Sequence, residues 1–139
     1  MDRDRAAEFI ERLHRAQEEL YAGGDTVPVE RLLAPDVVWH VPGETPIAGR
    51  HDGVDTVIGY MLLRRELADC TFRMRRRELL VGDGDQFAAL TDGYAEIAGR
   101  AREWSTVGLY RLRGDRLAEC HLIPFDQAEF DSIWAGRGR

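Results

Sequence analysis

The chain has 139 residues, 44% of them hydrophobic and 32% charged, and a net charge of −6 at neutral pH. That size suits one domain around one core, and the balance excludes a disordered polyelectrolyte. No apolar run approaches the roughly 18 residues that span a bilayer, and the basic residues are too scattered for the cationic face that nucleic acid requires.

All 19 basic residues are Arg, with no Lys and no Asn in the chain. Codon usage in a GC-rich bacterial genome is the simplest source of that bias. The amino terminus, MDRDRAAEF, has no apolar signal core, so the expected location is cytoplasmic. Cys70 and Cys120 form neither a disulfide framework nor a metal-ligand cluster.

The first 22 residues read as a helix, with Phe9, Ile10, Leu13, Ala16, Gln17 and Leu20 on one face. Gly23-Gly24-Asp25 ends it. A helical turn over 29–33 leads to a strand, Val37 to Val41, that stops at Pro42-Gly43. Residues 52–67 read as a second long helix, its apolar stripe formed by Val54, Val57, Ile58, Met61, Leu62 and Leu67. Beyond Ala68 the period changes to two, giving strands at 70–81, 86–98, 101–112 and 116–123 separated by glycine turns. Asp126 and Glu129 form a capping box for a last helix that ends near Trp134. Helices gathered ahead of an antiparallel meander give one α+β domain over 1–139.

The run Leu33-Ala34-Pro35-Asp36-Val37-Val38-Trp39-His40-Val41-Pro42-Gly43, with Pro46-Ile47-Ala48-Gly49, resembles the amino-terminal half of nuclear transport factor 2-like proteins. More narrowly it is similar to their bacterial SnoaL-like branch, named for a polyketide cyclase. The closing run Ile123 to Trp134 resembles that branch's usual ending. The resemblance implies a cone-shaped, strongly curved, mostly antiparallel sheet wrapped around long helices, a cystatin-like roll with an apolar pocket. This fold hosts isomerases, hydrolases, cyclases, dehydratases and inert binding modules.

By comparison with the family's epoxide hydrolases, Leu90, Asp92, Tyr94 and Glu96 point into the cone, as do Glu119, His121 and Ile123. The family's known catalytic sets do not carry over. The ketosteroid isomerase base falls at Val41 and its oxyanion Tyr near Gln17. The hydrolase Arg and Asp pair falls near Asp92 and Tyr94, and the second Asp near Ile123.

What remains is a different polar set. His121 is the expected proton carrier, oriented by Asp92. Arg76 lies among the apolar positions Phe72, Met74 and Leu80, so it needs a carboxylate such as Asp92, or else a β-bulge that returns it to solvent. Arg76 or Tyr94 would stabilise an enolate-like oxygen. Gln17, Trp39, His40, Val41, Tyr60, Trp104, Tyr110 and Ile123 are the expected ligand walls, although strand alternation puts His40 opposite Trp39 and Val41. The histidines show no metal-ligand spacing, and no cofactor loop is present. The expected function is cofactor-free acid–base chemistry on a small hydrophobic substrate, with a non-catalytic binding module as the rival. The small apolar series Ala89, Thr91, Gly93, Ala95 and Ile97 is expected on the convex face, joined by Cys120, Leu122, Val107 and Leu109. That face would pair two copies unless Trp134 folds over it.

Overall fold

Asp2 opens α1 (Arg3–Tyr21) by accepting a hydrogen bond from the Asp4 amide, which satisfies a helix-end donor. The structure, a computed structural model, describes residues 1–135. After α1 come α2 (Val27–Glu30), β1 (Leu33–Val41), β2 (Gly49–Asp52) and α3 (Val54–Leu67). Then follow β3 (Arg73–Val81), β4 (Gln86–Ile97), β5 (Arg100–Arg113), β6 (Arg116–Pro124) and α4 (Gln127–Trp134). Asp126 caps α4 through the Glu129 amide, as the D-x-x-E pattern requires.

Several boundaries differ from the sequence reading: α2 ends at Glu30 rather than residue 33, and β1 begins at Leu33 rather than Val37. β2 was not anticipated, because four residues of Gly-Arg-His-Asp carry no apolar alternation. Pairing alone holds it, from Val38↔Asp52 to Val41↔Gly49. β3 begins at Arg73 rather than residue 70, since Asp69 and Cys70 take positive φ to leave α3.

The six strands form one sheet in the order β2-β1-β6-β5-β4-β3. β1 and β6 run parallel and all other neighbours antiparallel, so the first and last long strands lie side by side. Register shifts interrupt the β1–β6, β3–β4 and β5–β6 pairings, and such bulges bend a sheet. The concave face wraps α1 and α3. Among the described residues no helix is long and apolar enough to cross a membrane.

Alternation on β4 runs opposite to the direction expected from the hydrolase comparison. Phe87, Ala89, Thr91, Gly93, Ala95 and Ile97 are buried toward the helices, while Leu90 and Tyr94 are half-buried and Glu96 is exposed on the outer face. On β6, Cys120 and Leu122 are inside, whereas Glu119, His121 and Ile123 are outside. The inner surface must pack on apolar helix faces, and the odd series of β4 offers the matching small and apolar side chains. Of the patch expected to pair two copies, Ala89, Thr91, Gly93, Ala95, Ile97, Cys120 and Leu122 are therefore inside, and only Val107 and Leu109 lie on the outer face. Trp134 is fully buried on the concave side, with ring centroids 5.3 Å from Trp104 and 5.6 Å from Phe72, and does not cover the convex face.

Two of the inner glycines make space for aromatic rings. A Cβ on Gly93 would lie 2.5 Å from the Trp104 ring, and one on Gly108 would lie 2.5 Å from the Tyr110 hydroxyl. Gly93→Ala therefore drives Trp104 off its rotamer and costs about 1–3 kcal/mol, the usual range for overpacking. Urea denaturation checks this; an unchanged midpoint would mean that Trp104 moves freely.

Candidate functional site

Val57, Tyr60, Met61 and Arg64 share the buried face of α3 at three- and four-residue spacing. That geometry carries a guanidinium into the cone, where Arg64 is only 4% exposed. The rings of Phe72, Trp134, Tyr60 and Tyr21 surround it at 4.4, 5.0, 5.3 and 5.6 Å. Its Nη1 donates to the Tyr60 hydroxyl at 2.6 Å and to the Tyr21 hydroxyl at 3.4 Å. Among the described residues no carboxylate pairs with it, and its Nε has no partner. Burial opposes the charge, but the phenol oxygens of Tyr21 and Tyr60 outweigh it, so Arg64 stays protonated.

The cone above Arg64 is narrow, with a cavity of about 30 Å³. Its walls include His14, Gln17, Trp39, Met74, Thr91, Trp104, Thr106 and Tyr110. Trp39 Nε1 and Thr91 Oγ1 are buried there without a hydrogen-bond partner. The Gln17 amide donates to Met61 sulfur at 4.0 Å, a weak acceptor. Burial pushes the Tyr60 and Tyr110 hydroxyls well above their ordinary range, which keeps them neutral. Burial first, and the nearby Arg76 charge second, push His14 down to about 4. Near neutral pH this imidazole is therefore an uncharged proton acceptor.

The residues expected from sequence divide between the two faces. Gln17, Trp39, Tyr60, Trp104 and Tyr110 are gathered in or against the cone, and Val41 is buried beside it. His121, Asp92, Tyr94, His40 and Ile123 lie on the outer face, so His121 and Asp92 do not serve the cone. Asp92 does not orient His121 either: its carboxylate binds Arg75 at 3.0 Å, Arg77 at 2.9 Å and the Ser105 hydroxyl at 2.7 Å. Burial alone would raise its pKa, but Ser105, Arg75 and Arg77 together hold it lowered. Arg76 faces inward beside Thr91, and its partner is Glu11 at 3.6 Å rather than Asp92. A bulge follows it between Arg76 and Glu78, which leaves Leu80 exposed and buries Leu79.

Outside the cone, the parallel β1–β6 register sets His40 beside His121. Their rings stack 3.9 Å apart, and Glu119 Oε2 lies 2.9 Å from His40 Nε2 and 3.4 Å from His121 Nε2. Arg111 holds the other carboxylate oxygen at 3.4 Å. The His40 hydrogen bond, helped by the charges of His121 and Arg111, holds the Glu119 carboxyl below its ordinary value. These three side chains are the described residues that could hold a metal ion.

A family profile described as the SnoaL-like domain matches residues 3–120. The chain belongs to the SnoaL-like domain family. An uncharacterised protein of Mycobacterium tuberculosis is 29% identical over 115 residues, covering 83% of this SnoaL-like chain and 88% of the relative. Among solved structures, Bal32a from a soil-derived mobile gene cassette superposes with a TM-score of 0.86 at 20% identity, over 95% of this chain and 98% of that one. A Xanthomonas campestris protein described as having a cystatin-like fold gives 0.78 at 27%, again over 95% and 98%. A candidate SnoaL-like polyketide cyclase from Jannaschia gives 0.74 at 15%, over 96% and 94%. The first and third of these likenesses, under 25% identical, establish fold alone.

Sequence reasoning missed Arg64 and His14. The signal for Arg64 was its position seven residues after Val57 on the apolar stripe. The signal for His14 was weaker: it adjoins Leu13 and precedes Gln17 by three residues. Because the folded-state value of His14 is depressed, its contribution to stability is complete above the unfolded value of 6.5. It declines as pH falls below that value and is gone once pH has passed through about 4. The urea midpoint of wild type should therefore fall relative to His14→Gln across this window. A pH-independent difference between the two would contradict a buried, neutral His14.

Proposed function

We propose that this SnoaL-like protein is a cofactor-free acid–base enzyme acting on a small, planar, largely apolar carbonyl compound inside the cone. The observation that carries the reading is the buried Arg64 guanidinium, which no carboxylate among the described residues neutralises. A charge left unneutralised in an apolar interior is costly, and it suits a site where negative charge develops on a ligand. His14 takes the proton from the carbon next to the carbonyl. Arg64, with the Tyr60 hydroxyl it holds, stabilises the resulting enolate oxygen, and the proton returns elsewhere on the same molecule. Trp39, Trp104 and Tyr110 provide flat walls. This assigns to His14 and Arg64 the roles first expected of His121 and Arg76. Cyclisation and isomerisation both fit the chemistry.

The closed cone sets the size limit. About 30 Å³ is room for little more than a water molecule, so substrate entry requires side chains to swing aside. Met74, half-buried and flexible, and the weakly held Gln17 are the side chains to move. The same closure favours a second reading, a binding module that grips a ligand without turning it over. Deuterium uptake from solvent into aryl β-diketones separates the two. The enzyme reading expects His14→Gln to slow exchange by about 100-fold or more and Arg64→Met by about 100- to 1000-fold. Arg64→Met should leave the melting temperature unchanged or higher, because Met fills the cage without a buried charge. Exchange no faster than in buffer, with tight binding retained, would select the module.

Of the residues expected to form the homodimer contact, Val107 and Leu109 remain available on the outer face, where other apolar residues join them. The outer face carries Leu80, Ala88, Leu90, Val107, Leu109 and Ile123 on adjoining strands, with Leu80 and Ile123 about half exposed. We propose a second copy of the chain as the partner of this patch. Sedimentation should then give twice 15.8 kDa, and Leu109→Arg should reduce it to one chain. A wild-type species of single-chain mass would exclude the pairing.

A further inference from the structure

The outer-face cluster has no part in the proposed chemistry of the cone, yet three donor atoms converge there from two strands. Ligand atoms from His40, His121 and Glu119, one from each, lie within 4.8 Å of one another. The nitrogen-to-oxygen distances are 2.9 and 3.4 Å. Donors held about 2.1 Å from a tetrahedral ion are about 3.4 Å apart, so the spacing fits one ion once the two imidazoles turn out of their stack to aim their lone pairs at it.

The supporting structure favours that arrangement. His40 and His121 are register partners on parallel strands, which turns both rings the same way, and Glu119 sits two residues earlier on the same face of β6. Arg111 engages Oε1 and leaves Oε2 toward the histidines, the kind of outer contact that fixes a ligand's orientation. Beside the cluster runs a groove of about 580 Å³, walled in part by Val41, Pro42, Leu109 and Ile123. An ion bound by these three protein ligands would keep a fourth position for water.

The geometry points to a divalent transition-metal site formed by His40, Glu119 and His121 on the outer face of the sheet. Two imidazoles and one carboxylate suit Zn²⁺ and its first-row neighbours, and discriminate against Mg²⁺ and Ca²⁺, which prefer oxygen donors. The site is separate from the cone, so it does not depend on the acid–base reading.

The test is calorimetric titration of the untagged, metal-stripped full-length chain with Zn²⁺, paired with thermal melting. One saturable Zn²⁺ per chain is expected, together with a raised melting temperature and no effect of Mg²⁺. His121→Ala, His40→Ala and Glu119→Gln should each weaken binding at least about tenfold. His121 is a partly exposed side chain, so His121→Gln serves should the alanine variants fail to fold. Absence of saturable Zn²⁺ uptake by wild type would overturn the site. So would a folded His121 variant that binds as tightly as wild type, which would leave the cluster a plain hydrogen-bonded network.

Discussion

A guanidinium held inside an aromatic cage, with no carboxylate partner among the described residues, is the constraint around which this molecule is arranged. Arg64 cannot lose its proton, so the surroundings must make its charge tolerable. Four ring faces and two phenol hydroxyls do part of this, each contact replacing some of the lost hydration. A carboxylate within reach would complete the neutralisation and end the site's affinity for an incoming oxygen. The acids that approach from the sheet are instead on its other side, where Asp92 and Glu119 are occupied by Arg75, Arg77, Arg111 and histidines.

Strand register enforces that separation. Gly93 faces Trp104 across β4 and β5, Thr91 faces Thr106, and Trp39 lies beside Cys120, all turned toward the helices. One residue along, Asp92 meets Ser105, Arg111 meets Glu119, and His40 meets His121, all turned outward. A sheet thus keeps two chemistries a few ångströms apart without mixing them. The inner one is mostly apolar and holds the Arg64 cation, and the outer one is rich in paired charges. Small residues at Gly93 and Gly108 set how far the inner rings can withdraw, and so how narrow the cone becomes.

Much of the fold was legible in the sequence, because helix period, strand period and glycine turns are local signals. The α+β order and the capped last helix followed from them. The direction of the strands did not, although the information was present. Phe87, Ala89, Ala95 and Ile97 share one parity on β4, and Asp92 and Glu96 the other, so ordinary alternation alone puts the acids outside. Borrowing orientation from hydrolase relatives reversed it and carried His121 into the wrong compartment. Arg64 was passed over because a charge on an apolar stripe looks like an interruption of that stripe. The meeting of His40 with His121 was beyond reach, since parallel pairing of the first and last long strands leaves no trace in residue spacing.

The chain's three tryptophans are all committed to one place. Trp39 and Trp104 wall the cone, and Trp134 seals its base against Arg64, each at most 4% exposed. No indole lies on the surface to add a background signal. The protein's intrinsic fluorescence is therefore an unlabelled optical readout of the cone interior. A compound entering past His14 would alter the emission, whereas an event confined to the outer face would leave it nearly silent.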